Sequence, residues 1–214
     1  MPTPEERARA LVDEHGRTLA QEAGIDLGDE PGPLWQLLVL TLLLSKRIGA
    51  GAALASAREL WAAGWFTPDD LRRSTWNQRV AALGRGGYRR YDFSTATRLE
   101  EAAAMVRDRW GDDLRGLLQE AEGDPRRIAR LLQEFGGIGP TGASIFLREV
   151  QAVWPQVRPY VDDLTRKGAR LAELPTDVDD LAALVPAEEF AALAAALVRV
   201  ARDKSLQVGP PAEA

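Results

Sequence analysis

The sequence has no cysteine and a single histidine, His15, and both shortages limit its chemistry. Without cysteine the chain forms no disulfide and binds neither an iron–sulfur cluster nor zinc through thiolates. One histidine excludes a metal site built from several imidazoles. The sequence therefore predicts a protein with no metal and no cofactor.

Long apolar runs are also missing. The longest, residues 37–44, is interrupted by Thr41 and is far shorter than the roughly 20 residues that cross a bilayer. Residues 1–9 are charged and lead into no apolar segment, which argues against a secretory signal. We therefore expect a cytoplasmic protein that does not enter the membrane.

The net charge of −5 and the isoelectric point of about 5.1 are acidic. Proteins that bind nucleic acid usually carry a basic surface, so the sum of charges argues against such a partner. However, the acids concentrate at residues 4–30 and 175–189, whereas Lys46, Arg47 and residues 85–90 are locally basic. Binding depends on where charge lies, so a local basic surface remains compatible with this composition.

Apolar residues recur at helical spacing, alanine and leucine are abundant, and strand-like alternation is nearly absent. The sequence therefore predicts an all-α fold. We expect one amphipathic helix at residues 4–23, and a helix at residues 34–44 that is apolar nearly all round and therefore buried. A long helix is expected at residues 94–110 with Ser94 as its cap, and another at residues 162–172.

The length suits one core or two small lobes that share a cleft. We expect residues 1–32 to form an N-terminal helix and loop that pack on a main domain of residues 33–206, with a helical hairpin at residues 131–150. Residues 207–214 are expected to be a disordered tail.

The strongest local signal is a glycine-rich turn between two predicted helices. The first helix is predicted to end at Phe135. Gly137 and Gly139 permit a tight turn, Ile138 between them should pack into the core, and Pro140 should start the next helix. Such a turn directs free backbone N–H groups outward, where they bind a phosphate oxygen whatever the base sequence. An ordinary helical hairpin with a glycine cap is the alternative.

The pattern hydrophobic–x–x–Phe–Gly–Gly–Ile–Gly–Pro–x–x–Ala, followed by Val161-Asp162-Asp163, resembles the helix-hairpin-helix DNA glycosylase superfamily of the endonuclease III type. The resemblance covers residues 33–202. It implies two helical lobes with an active-site cleft between them. It also implies a nucleoid-associated monomer that acts on double-stranded DNA containing a base lesion or mismatch. Many members carry an iron–sulfur cluster, so a chain without cysteine resembles the cluster-free branch.

The resemblance also implies catalytic positions. Asp162 matches the family's aspartate at the start of the helix after the hairpin. There, a carboxylate stabilises the oxocarbenium-like transition state or activates water. The neighbouring Asp163 is the alternative, and a plain helix cap is a second reading of Asp162. Thr141 stands where bifunctional members have a lysine that forms a Schiff base with the sugar. Without that amine, the implied enzyme is a monofunctional glycosylase that leaves an abasic site.

Two further segments match loops of the family that face DNA. Lys46 and Arg47 match the family's loop that enters the gap left by the flipped base, so the resemblance implies that they contact DNA. Tyr88, Arg89 and Arg90 lie in a second loop that combines phosphate-binding arginines with an aromatic ring able to stack. Ordinary surface loops are the alternative reading of both. The missing lysine at position 141 and the acidic net charge favour a second function. In that case the chain is a catalytically degenerate helix-hairpin-helix protein that only binds DNA.

Overall fold

A computed structural model describes residues 2–206 of the chain. Within that range the chain forms thirteen α-helices and two short 3-10 helices. The α-helices are α1 Pro4–His15, α2 Leu19–Ala23, α3 Pro31–Leu44, α4 Ala50–Ala62, α5 Pro68–Arg73, α6 Trp76–Arg85, α7 Asp92–Trp110, α8 Arg115–Glu120, α9 Pro125–Leu132, α10 Pro140–Val150, α11 Asp163–Leu171, α12 Val178–Ala182 and α13 Phe190–Arg202. The 3-10 helices flank α13, at Ala187–Glu189 and Lys204–Leu206.

The prediction of an all-α fold is confirmed, since no residue from 2 to 206 is in a strand. No helix in this range is long and apolar enough to span a membrane. The chain divides into two compact units. Among the described residues, unit 1 combines residues 2–19 with residues 148–206, and unit 2 is Ala20–Leu147. The predicted tail at residues 207–214 lies outside the described residues.

Unit 2 is built around α3. Ten consecutive residues, 34–43, are buried, which confirms the prediction from the all-round apolar character of this segment. Helices α4 and α7 both contact α3, and α6 contacts α4 and α7. Burial on every side explains why eight of these ten residues are apolar.

Helix starts in unit 2 follow local sequence signals in part. Thr67 caps α5 through a reciprocal capping box with Asp70, and Pro68 takes the first helical position. The predicted cap of α7 was wrong. This helix begins at Asp92, two residues before Ser94, whose hydroxyl instead donates to the Tyr91 carbonyl at 3.1 Å.

Unit 1 is assembled from both ends of the chain. Helix α13 contacts α1 and α11. The contact with α11 is close, because a Cβ on Gly168 would collide with the Leu197 carbonyl. The single helix predicted at residues 4–23 is wrong, since α1 ends at His15 and Gly16 forms its C-cap. A Cβ on Gly16 would collide with the Val12 carbonyl, so glycine suits this tight helix end.

Candidate nucleic-acid interface

The hairpin between α9 and α10 has the expected tight turn, with one shift. Helix α9 ends at Leu132 rather than at Phe135, and successive i→i+3 hydrogen bonds carry the chain from there through Phe135. Gly137 has φ +103°, a region that favours glycine. Ile138 is 4% exposed, which confirms that it packs into the core, and its N–H donates to the Phe135 carbonyl at 3.0 Å.

Backbone N–H groups remain available at the start of α10. Those of Gly139 and Thr141 donate to no other residue within the described part of the chain. Thr141 is exposed, and a Cβ on Gly139 would meet nothing within 4 Å. The start of this eleven-residue helix therefore offers donors and positive dipole character to an anion.

Lys46 lies directly beside the hairpin. Its Nζ is 3.1 Å from the position that a Cβ on Gly137 would occupy, and Cδ of Arg98 is equally close to the same point. The pKa of Lys46 is lowered, first by partial burial and then by the positive charge of Arg98. Sequence reasoning missed Arg98. It lies within the long helix α7, and no feature of the sequence distinguishes it from an ordinary solvated arginine.

The loop that carries Lys46, residues 45–49, is also held against the start of α10. A Cβ on Gly142 would collide with Ser45 Oγ, and the same hydroxyl donates to the Thr41 carbonyl at 2.7 Å. The end of α3 and the start of α10 are therefore in contact. Arg47 follows in this loop with an exposed side chain, so its predicted DNA contact stays a prediction.

The prediction that Tyr88 contacts DNA is wrong. Its side chain is fully buried, and its hydroxyl donates to the Leu43 carbonyl at 2.8 Å, so the ring is not available for stacking. Burial raises the pKa of Tyr88 to about 12. The role of Tyr88 is to fasten residues 86–91 to the end of α3. Arg89 and Arg90 are exposed, and their DNA contacts remain predictions.

These contacts bring three loops of unit 2 together. Residues 45–49, 86–91 and 136–139 are joined through the end of α3, and Arg98 of α7 adjoins them at Gly137. We call these three loops, with Arg98, the basic loop cluster. It combines free backbone donors with a local excess of positive charge, although the whole chain is acidic. This arrangement suits a polyanion backbone.

Asp162 lies in unit 1 as the N-cap of α11. Its Oδ1 accepts hydrogen bonds from the Thr165 N–H at 2.8 Å and from the Thr165 hydroxyl at 2.7 Å. Its Oδ2 is ion-paired with Arg148. The two side chains of the pair are 12% and 6% exposed, respectively. The arrangement fixes the orientation of the carboxylate and engages both of its oxygens.

Asp163, the alternative carboxylate, is the first residue of α11 and is exposed. Arg148 is a second functional candidate that sequence reasoning missed, because its importance depends on a partner fourteen residues away. No cluster of three or more His, Cys, Asp or Glu side chains that could hold a metal ion occurs among the described residues.

Comparison with known proteins gives matches at the level of structure. No model of a protein family and no curated protein matches the sequence. The similar solved structures include a trapped endonuclease III–DNA covalent intermediate, an estranged-adenine complex, with a TM-score of 0.46, and a non-covalent endonuclease III–DNA complex with a TM-score of 0.47. Each is 17% identical and covers 93% of this chain and 86% of its own. Both of these structural neighbours are endonuclease III proteins.

Proposed function

We propose that this chain is a monofunctional DNA glycosylase that hydrolyses the N-glycosidic bond of a flipped damaged or mismatched base. The observation that carries the proposal is the hairpin. Gly137 at positive φ and the buried Ile138 hold the start of α10 so that the N–H groups of Gly139 and Thr141 stay free. Those donors bind a phosphate of the duplex without reading its sequence.

The chemistry is assigned to Asp162. Glycosidic cleavage develops positive charge on the sugar, which an ionised carboxylate stabilises. Water adds to the anomeric carbon, the bond to the base breaks, and the base leaves with a proton, so the product is an abasic site. The cap and the ion pair with Arg148 hold the carboxylate in one orientation.

Thr141 supports the monofunctional assignment. It occupies the position of the family lysine, and a hydroxyl cannot form a Schiff base with the sugar. Strand cleavage through that intermediate is therefore not expected. A protein with this role works on the chromosome, so we expect a monomer at the nucleoid of the cytoplasm.

A second candidate is a DNA-binding protein without turnover. The observation that favours it is the engagement of both Asp162 oxygens, by Thr165 and by Arg148. A carboxylate so satisfied is also what a purely structural helix cap requires. In that case the basic loop cluster would hold DNA and no base would be released.

Turnover on a panel of lesion-bearing duplexes, scored with and without hot alkali, tests the proposal. We expect a cleaved product only after alkali, and no product from Asp162→Asn, since asparagine still caps α11 but carries no charge. Asp163→Asn is the matched control, because it removes a neighbouring exposed carboxylate. Circular dichroism checks the folding of both variants.

The outcomes separate the candidates. Loss of product in Asp162→Asn alone supports the proposed role, and loss in Asp163→Asn alone moves that role to Asp163. Absence of product on every lesion from the unaltered protein, with duplex binding that weakens as salt rises, supports the binding protein instead.

A further inference from the structure

Two cations, Lys46 and Arg98, lie beside Gly137 in the basic loop cluster. Lys46 Nζ lies 3.1 Å and Arg98 Nε 3.4 Å from the position of a Cβ on Gly137. The two charged groups are therefore no farther apart than the sum of these short distances. Neither forms an ion pair with a described residue. The acid Glu101 lies beside the preceding glycine instead, with its Oε2 3.6 Å from the position of a Cβ on Gly136.

Because Gly137 has no side chain, the side chains of Lys46 and Arg98 can both occupy the space beside it. A Cβ there would press on both side chains, and φ +103° would strain any other residue. The side chains come from different elements, since Lys46 follows α3 and Arg98 lies within α7. The fold therefore places two like charges together, an arrangement that disfavours the charged lysine in the free protein and becomes favourable when an anion binds.

We infer that Lys46 and Arg98 form an anion site that binds a phosphate oxygen of the DNA backbone beside the hairpin. The inference rests on the proposed function for the identity of the ligand. Arg98 supplies paired N–H donors that match the oxygens of a phosphate, and Lys46 supplies a compact charge. The phosphate bound here is held by side-chain charge, in contrast to the phosphate held by the free N–H groups of Gly139 and Thr141.

Binding of an undamaged duplex at several salt concentrations tests this site without any need for turnover. We expect the slope of log Kd against log salt to fall by about one in Arg98→Gln and by about one in Lys46→Gln. Arg107→Gln is the matched control. Arg107 lies on the same helix, nine residues later and on the opposite face, where it pairs with Asp108.

The lysine side-chain NMR signals supply a second measurement that does not depend on DNA. The chain has three lysines, Lys46, Lys167 and Lys204, so the Cε signals are few and two of them serve as internal controls. Titration with inorganic phosphate should move the Lys46 signal and leave the other two in place. In Arg98→Gln that movement should be several-fold smaller at the same phosphate concentration, whereas Arg107→Gln should behave as the unaltered protein.

The two measurements separate failure of the site from failure of the proposed function. If Arg98→Gln matches Arg107→Gln in both measurements, the site is refuted, whatever the protein does to DNA. If the unaltered protein binds no duplex, or binds it with a slope that Arg98→Gln leaves unchanged, DNA is refuted as the occupant. In that case, a movement of the Lys46 signal that depends on Arg98 still supports an anion site for free phosphate.

Discussion

Removal of Arg148 tests how unit 1 holds Asp162. Arg148→Met keeps the length and apolar character of the side chain but leaves the Asp162 carboxylate without its cation. Both side chains are largely buried, at 6% and 12% exposure, and loss of one partner of a buried pair costs about 3–5 kcal/mol. We expect the lower end, about 3 kcal/mol, because Thr165 still donates two hydrogen bonds to Asp162.

The free energy of unfolding, measured by urea denaturation and circular dichroism, gives the size of the effect. The double variant Arg148→Met/Asp162→Asn removes both charges, so it should be less destabilised than the sum of the two single variants. Arg170→Met, an exposed change on α11, is the control and should have little effect. A loss below about 1 kcal/mol in Arg148→Met would show that water or another group replaces the cation, and would refute the reasoning.

Two further predictions concern Tyr88 and Thr141. Because burial raises the pKa of Tyr88 to about 12, above the usual value of about 10, the neutral phenol is favoured by folding. Its contribution to stability is complete below about pH 10 and is lost as the pH rises toward 12. One of the three tyrosines should therefore ionise late when absorbance is followed at high pH, and Tyr88→Phe should abolish that step. Thr141→Lys places an amine at an exposed position. Borohydride should therefore trap a covalent complex with DNA in this variant and not in the unaltered protein. Equal trapping in both proteins would contradict the monofunctional assignment.

Local signals in the sequence predicted the hairpin well. A positive φ at Gly137 and the burial of Ile138 follow from residues that are adjacent in the chain, as does the capping of α5 by Thr67. Burial of α3 could also be predicted, since a helix apolar on every side has no face to present to water. These features depend on residues that are close together in the sequence, so the sequence alone is enough to predict them.

Features that depend on distant partners were not predictable in the same way. Tyr88 was interpreted as a DNA contact from its basic neighbours, but the Leu43 carbonyl and the surrounding core bury it. Arg98 and Arg148 gain importance only from Gly137 and Asp162, which the fold brings to them. The break after α1 depends on the close approach of Gly16 to the preceding turn, which helical periodicity does not reveal.

The uninterrupted burial of residues 34–43 also determines how freely α3 can vary. On an ordinary amphipathic helix, tolerance to substitution rises and falls every three or four residues, because alternate faces meet water. In α3 no position faces water, and a polar replacement at any of the eight apolar positions would bury a group that lacks a hydrogen-bond partner. Tolerance to polar substitution should therefore be low at the apolar positions all along residues 34–43, without the helical periodicity of an amphipathic helix.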